Sequence, residues 1–178
     1  MNSDKKITYI SNWIKEYAIS LPFTPPSLII GVSGGIDSAV TSTLCAKTGF
    51  KTIAISMPIK QNLNQHDLSL KHLDWLKKNF DNVETKIIEL DNVFASFENT
   101  MKDFNNSLAF ANSRSRLRMV TLYQIAQANK GIVVGTGNKV EDFGVGFYTK
   151  YGDGGVDISP IADCNKTKVW ELGKELGI

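Results

Sequence analysis

Residues 28–39, with the sequence LIIGVSGGIDSA, constrain the fold more than any other part of the chain. An apolar run leads into Ser33-Gly34-Gly35, and a helix-forming segment follows from Ile36. This order is typical of a buried parallel strand, a tight turn and a helix N-terminus. Glycines allow a close backbone approach, and the amides of a helix N-terminus attract anions. The segment therefore predicts a phosphate-binding turn.

Asp37 is the unusual member of this turn, because a carboxylate beside a phosphate repels it unless a cation lies between them. Mg²⁺ is the cation that a carboxylate and a phosphate together favour. The Gly-Lys-Ser/Thr ending of a Walker loop is missing, so that class of phosphate site is excluded. The alternative is an ordinary glycine turn in which Asp37 and Ser38 serve only as helix caps.

The composition indicates a soluble cytoplasmic protein with one domain. The chain has 178 residues, a net charge of +2 and 42% hydrophobic residues, which suits a single core. The small net charge gives no indication of nucleic-acid binding. Neither Cys45 nor Cys164 lies in a CxxC motif, which favours a reducing compartment. The N-terminal sequence resembles neither a signal peptide nor a membrane span.

Helical and extended patterns alternate along the chain. Predicted helices cover residues 5–19, 36–47, 65–79, 93–99 and 105–129, and predicted strands cover residues 28–32, 52–57, 83–90 and 131–135. This alternation predicts an α/β fold: a doubly wound, mainly parallel sheet with helices on both faces. Ligands of such sheets bind beyond the carboxyl ends of the strands. Ser33, Met57 and Thr136 fall at three of those ends.

Residues 135–141, with the sequence GTGNKVE, form a second polar segment after a strand. Thr136 offers a hydroxyl group and Glu141 a carboxylate. Asp37 and Glu141, together with phosphate oxygens and water, would suit an octahedral Mg²⁺. Alternatively, Glu141 is only an acidic residue in the first turn of a helix.

Three arginines, one glycine-rich segment and one lysine supply the remaining candidates. Arg114 and Arg118 share one helix face and Arg116 lies elsewhere, so the set is either an arginine fork for an anion or a solvated surface. The glycine- and aromatic-rich residues 144–160 suit a nucleotide-like ligand, or form an irregular packed loop. Lys166 lies just before a further predicted helix that carries Val169, Trp170, Leu172 and Leu176, and it either reaches a phosphate or is solvated.

Four motifs together resemble the ammonia-dependent NAD synthetases: SGGIDS, NxxxRxR, GTGNKxE and TKYGDGGxDxxP. The first is similar to the PP-loop of the ATP pyrophosphatases, and the match spans nearly the whole chain in family order. The resemblance implies an adenine nucleotide alpha-hydrolase-like, Rossmann-type fold. It also implies a homodimer with sites near the subunit interface, for which the long helix from Asn105 is the candidate contact surface.

The resemblance implies that ATP activates the carboxylate of deamido-NAD as an acyl-adenylate, which ammonia then converts to NAD with release of AMP. No protein nucleophile is expected. Asp37 and Glu141 would hold Mg²⁺. Lys150, Asp153, Asp157 and Arg116 would bind or lie close to deamido-NAD. ATP would contact Gly31, Val32, Ser33, Gly34, Gly35, Ile36, Asp37, Ser38, Ser56, Met57, Thr136 and Lys166.

Family members continue past the position of Ile178 into a loop and helices that help to close the site. We therefore expect residues 1–178 to be one domain that lacks the C-terminal part of the family domain. No glutaminase domain is expected, so we expect free ammonia as the nitrogen source unless a separate subunit delivers it. Two alternatives stay open: another PP-loop enzyme, either GMP-synthetase-like or tRNA-modifying, and a non-catalytic nucleotide-binding module.

Overall fold

A computed structural model describes residues 2–22 and 27–178, apart from the side chain of Phe143. Its helices are α1 (Ser3–Ser20), α2 (Ile36–Lys47), α3 (Leu63–Asn79), α4 (Asp91–Thr100), α5 (Ser107–Ala128) and α6 (Lys166–Leu176). Its strands are β1 (Ser27–Gly31), β2 (Thr52–Ser56), β3 (Val83–Ile87) and β4 (Gly131–Val134). A 3₁₀ turn covers Lys102–Phe104 and a π-helical turn covers Lys139–Val145.

The four strands form a parallel sheet in the order β3-β2-β1-β4. Ile29 of β1 lies between Ile53 of β2 and Val133 of β4. The chain runs outward from β1 to β3 and then crosses back to place β4 on the other side of β1. The topological switch point, where ligands of such sheets bind, therefore lies between β1 and β4. The predicted doubly wound fold is confirmed.

Both faces of the central strands are buried, which explains their unbroken apolar sequences. Leu28 and Ile30 face the core cluster that contains α1, α2, α3 and α6. Ile29 faces the opposite cluster, which α4 and α5 cover. Edge strand β3 is partly exposed and carries Glu84, which pairs with Lys51 and Lys86. Charges of this kind protect an edge strand from pairing with other chains.

Differences at the element ends have local causes. Strand β3 ends at Ile87, rather than at the predicted residue 90, because its neighbour β2 already ends at Ser56. Helix α3 begins two residues earlier than predicted, since the side chain of Asn62 caps its first turn. The π-helical turn was not predicted as a separate element. Among the described residues, no helix combines the length and the apolar character that a membrane crossing needs.

Candidate active site

The glycine turn after β1 is held in place by its own serines. The Ser38 hydroxyl accepts a hydrogen bond from the Ser33 amide at 3.2 Å and donates to the Gly35 carbonyl at 2.9 Å. Gly34 has φ +89°, and a Cβ there would collide with the Gln65 carbonyl oxygen. A Cβ on Gly35, the N-cap of α2, would meet only the Ser33 hydroxyl. The N-terminus of α2 is thus open to an anion.

The other residues of the predicted ATP-binding turn contribute backbone rather than side chains. Gly31 is the last residue of β1 and Val32 is buried in the core. Ile36 packs against the same core and lies beside Gly173 of α6. Their side chains therefore fix the strand and helix on either side of the turn.

Asp37 and Glu141 converge on a single cation. Lys166 Nζ lies 2.5 Å from Asp37 Oδ2 and 2.9 Å from Glu141 Oε1. The three residues come from α2, the π-helical turn and α6, and are distant in the sequence. Burial lowers the pKa of Lys166, but the hydrogen bonds to Asp37 and Glu141 outweigh it, so that the pKa is raised. The structure thus brings together both predicted metal ligands and the predicted phosphate-binding lysine.

Asn138 joins the two carboxylate-bearing segments and was missed as a site residue. Its side chain is fully buried, and its Nδ2 donates to Asp37 Oδ1 at 3.3 Å. Its Oδ1 accepts from the amides of Val140 and Glu141 at 3.0 and 3.1 Å. The motif GTGNKxE contained Asn138, but the cap was visible only once the π-helical turn was known.

The surroundings of this site are acidic. Burial raises the pKa of Asp142, and the nearby charges of Asp153, Glu141 and Asp37 raise it further. In the part of the chain that the structure describes, no three His, Cys, Asp or Glu side chains form a metal site. Two carboxylates that meet at one ammonium do fit Mg²⁺, which completes its shell with water and phosphate oxygens. The donor set therefore suits a metal that arrives with a nucleotide.

Two clefts open at this edge of the sheet. The larger has a volume of about 530 Å³ and the smaller, which contains Asp37 and Glu141, about 200 Å³. Ser33, Thr136 and Asp153 line both clefts, so the two adjoin each other. The larger cleft is of the size that ligand pockets commonly have. Its lining combines polar groups with the apolar side chains of Met57, Met119, Leu122, Val134 and Val156.

Arg118 lines the larger cleft, although Arg116 was the predicted ligand contact. Arg118 Nε donates to the Met57 carbonyl at 3.0 Å. Burial lowers the pKa of Arg118, and the charge of Arg114 lowers it further. No carboxylate of the described residues forms a salt bridge with Arg118. A cation in this position suits an anionic or aromatic part of a ligand.

Arg116 and Lys150 lie side by side outside the two clefts. Arg116 Nε donates to the Lys150 carbonyl at 3.2 Å, and both side chains are exposed. Asp153 Oδ1 accepts from the Ser115 hydroxyl at 2.7 Å and from the Thr149 amide at 2.9 Å. Ser115 thereby ties the loop of residues 144–160 to α5. This pairing was not visible in the sequence.

Asp157 and Ser56 make internal hydrogen bonds. Asp157 accepts from the Val133 amide at 2.7 Å and from the Tyr123 hydroxyl at 3.0 Å, which fastens the loop to β4. The Ser56 side chain is 1% exposed and lies 2.9 Å from Ser69 Oγ, directed toward α3. Only the backbone of Ser56 can therefore face a nucleotide, whereas the neighbouring Met57 does line the cleft.

Comparisons with known proteins show the family to which the chain belongs. The model of the NAD synthase family matches residues 6–178. The NH(3)-dependent NAD(+) synthetase of Carboxydothermus hydrogenoformans is 34% identical over 100% of this chain and 72% of its own length. That of Saccharolobus solfataricus is 41% identical over 96% of this chain and 59% of its own length.

Solved structures give the same result. An NMN synthetase from Francisella tularensis has a TM-score of 0.91 and 34% identity, covering 100% of this chain and 72% of that one. The NH3-dependent NAD synthetase of Campylobacter jejuni, in complex with a nitrate ion, has a TM-score of 0.88 and 28% identity, covering 99% of this chain and 74% of that one. This chain belongs to the NAD synthase family.

Proposed function

We propose that this chain is a ligase that makes NAD from deamido-NAD, ATP and ammonia, releasing AMP and pyrophosphate. One observation carries the proposal. Asp37, Glu141 and Lys166 meet beside the open N-terminus of α2, next to a cleft of about 530 Å³. That arrangement suits a nucleoside triphosphate bound with a divalent cation. Membership of the NAD synthase family supports the acceptor.

The first step would be attack of the nicotinate carboxylate oxygen on the α-phosphorus of ATP. The bond from this phosphorus to the α,β-bridging oxygen breaks and pyrophosphate leaves, which forms an acyl-adenylate. No protein group needs to act as a nucleophile. The amides at Gly34 and Gly35, together with Lys166, would bind the phosphates and stabilise the charge of the leaving group.

Asp37 and Glu141 would hold Mg²⁺, which when bound neutralises phosphate charge and acts as a Lewis acid. The hydroxyl groups of Ser33 and Thr136 would add hydrogen bonds to phosphate oxygens, and the Ser38 hydroxyl would do so only after leaving the Gly35 carbonyl. Met57 would lie near the adenine, together with the backbone of Ser56. The ammonium of Lys166 lies between the two carboxylates, where Mg²⁺ would be held, so Lys166 would turn from them to a phosphate when the metal is bound.

In the second step, the ammonia nitrogen would attack the acyl carbon. The bond from this carbon to the AMP oxygen breaks, the amide forms, and the surplus proton is released to solvent. Water competes with ammonia for the acyl-adenylate, so the site must exclude it. The apolar residues of the cleft, among them Leu122 and Val156, suit that purpose.

We propose that deamido-NAD contacts Arg116, Lys150, Asp153 and Asp157, and that the protein is a homodimer. An exposed stripe at four-residue spacing on α5 supports the dimer, since such residues share one helix side. The stripe contains Arg116, Val120 and Gln124. Its apolar member, Val120, is 57% exposed. A second subunit on this side would bring Arg116 to the interface, where the family resemblance puts the dinucleotide.

We also propose that residues 1–178 belong to one domain, without the C-terminal part of the family domain, and that the protein acts in the cytoplasm. Cys45 and Cys164 are free and buried. Burial raises the pKa of both thiols, to about 12 and about 11. Inert, unpaired thiols suit a reducing compartment.

A mononucleotide is the second candidate for the acceptor. The similar structure from Francisella tularensis is described as an NMN synthetase. The same amidation chemistry applied to nicotinic acid mononucleotide gives NMN. The two candidates differ only in the presence of the AMP half of the acceptor, so the choice depends on residues outside the ATP site.

Pyrophosphate release is the experiment that tests the function. The chain is incubated with ATP and Mg²⁺, alone and with deamido-NAD or nicotinic acid mononucleotide, and ammonia is then added. We expect release only with an acceptor, higher kcat/KM with deamido-NAD, and formation of NAD after ammonia is added. Higher kcat/KM with the mononucleotide would favour the second candidate. Release that is independent of both acceptors would contradict both.

A further inference from the structure

We propose that Asn138 is a positioning residue that sets the distance between Asp37 and Glu141, and so prepares the site for the divalent cation that accompanies ATP. This inference rests on the proposed function, because it concerns the metal that the two carboxylates would hold. It adds a residue outside the predicted set of ligand contacts.

The position of Asn138 relative to both ligands is the first reason. Its Nδ2 donates to Asp37 Oδ1 at 3.3 Å. Its Oδ1 accepts from the Glu141 amide at 3.1 Å, which fixes the backbone that carries the second carboxylate. One planar amide therefore connects α2 with the π-helical turn. The two carboxylates belong to segments that follow different strands, β1 and β4, and no covalent constraint sets their spacing.

The burial of Asn138 is the second reason. The residue is 0% exposed, and its amide uses three hydrogen bonds within the protein. A buried amide with these partners has little freedom to move, because each lost bond would leave a buried polar group unsatisfied. Lys166 also bridges the carboxylates, but its side chain is 38% exposed and would turn to the phosphates. Asn138 is thus the connection that would remain once the nucleotide binds.

The chemistry of the side chain separates positioning from simple helix capping. Asparagine and serine cap helix N-termini about equally well, so serine at position 138 can keep the bonds to Val140 and Glu141. Serine lacks an amide nitrogen and cannot reach Asp37. A residue that only caps would tolerate this change, whereas a residue that positions Asp37 would not.

The test measures Mn²⁺ binding in the presence of a saturating concentration of ATP, by electron paramagnetic resonance, on the full chain. We expect Asn138→Ser and Asn138→Ala each to weaken Mn²⁺ binding about tenfold. Asn106 provides the matched control, since its side chain caps α5 by accepting from the Ala109 amide at 2.9 Å and is exposed. Asn106→Ser should leave Mn²⁺ affinity unchanged.

A double-mutant cycle shows whether Asn138 acts through Asp37. In an Asp37→Asn background, Asn138→Ser should weaken Mn²⁺ binding much less than in the wild type, because residues that act through each other are not additive. Equal weakening in the two backgrounds would contradict the proposal. So would wild-type Mn²⁺ affinity in Asn138→Ser, since that result assigns Asn138 to capping alone.

Circular dichroism and thermal unfolding establish that each variant is folded. If Asn138→Ser does not fold, Asn138→Asp keeps the volume and the capping oxygen but replaces the donor toward Asp37 by a charge. Equal or tighter Mn²⁺ binding by this variant would overturn the inference. A wild-type chain that binds no Mn²⁺ with ATP would instead contradict the proposed function itself.

Discussion

At the scale of single residues, Asp37 carries the largest expected effect on the reaction. Its carboxylate accepts hydrogen bonds from Lys166 and Asn138 and stands in the first turn of α2. A carboxylate so close to the proposed phosphate site repels ATP unless a cation lies between them. Its proposed role is therefore tied to the metal, and its loss should affect turnover far more than folding.

We expect Asp37→Asn to lower kcat by on the order of a hundredfold, comparable to the loss of one electrostatic stabiliser in other active sites. The thermal midpoint should stay close to that of the wild type. Asp67→Asn is the matched control, because Asp67 forms an exposed ion pair with Lys71 on α3, away from the site. Pyrophosphate release measured over a range of Mg²⁺ concentrations checks this, and an unchanged rate would remove Asp37 from the site.

His72 is the residue with the clearest expected effect on pH dependence. Its Nε2 lies 2.9 Å from Ser42 Oγ, and its ring stacks on Trp75. Burial lowers the pKa of His72 to about 4, although a hydrogen bond with the Ala39 backbone acts in the opposite direction. In the unfolded chain a histidine titrates near 6.5. The unfolded state therefore binds more protons than the folded state between these two values.

Because the pKa of His72 is lower in the folded state than in the unfolded state, His72 should not change the free energy of unfolding above about pH 6.5. As the pH falls toward 4, protonation of the unfolded chain should lower the free energy of unfolding by about 3 kcal/mol. His72→Phe should remove this part of the pH dependence, even if it changes stability at pH 7. Urea unfolding of both proteins at pH 7 and pH 4.5 checks the difference. If the free energy of unfolding falls by the same amount between pH 7 and pH 4.5 in the wild type and in His72→Phe, the assignment of this pH dependence to His72 is contradicted.

At the scale of elements, the sequence predicted those helices and strands whose bounds depend on local residue patterns. Helix α2 has the predicted bounds because glycine precedes it and an apolar pattern fills it. The faces of α5 show the limit of such patterns. Its arginine spacing indicated that Arg114 and Arg118 share a face, but which face meets the cleft depends on how α5 packs on β1 and β4. Asn138 and Ser115 were missed because their partners are distant in the sequence.

The turn before α2 yields a prediction at this scale. Gly34→Ala should destabilise the protein, because φ is +89° and a Cβ would collide with the Gln65 carbonyl on α3. Gly49 is the control, since its φ is +81° but nothing lies within 4 Å. Gly49→Ala should lower the free energy of unfolding by only about 1 kcal/mol, the cost of a left-handed backbone conformation for a residue with a Cβ. Chemical unfolding compares the two variants, and equal losses would show that the contact with α3 has no effect.

At the scale of the whole molecule, the order of the strands explains why the site lies where it does. The crossing from β3 to β4 leaves a gap at the carboxyl ends of β1 and β4, and the glycine turn, Thr136 and the clefts lie there. Motifs from four parts of the chain meet at this edge. Their convergence could be predicted from the strand pattern, whereas the distances between their side chains required the structure.

The exposed stripe on α5 makes the quaternary structure testable. If it forms the subunit interface, Val120→Lys should convert a dimer into a monomer, because a buried unpaired ammonium is costly. Leu68→Lys is the matched control, since Leu68 is 52% exposed on α3 and outside the stripe. Sedimentation velocity at several concentrations gives the masses. We expect the monomer to bind ATP normally but to need more deamido-NAD, because Arg116 lies on the same stripe. A dimeric Val120→Lys variant would contradict a subunit interface on this stripe.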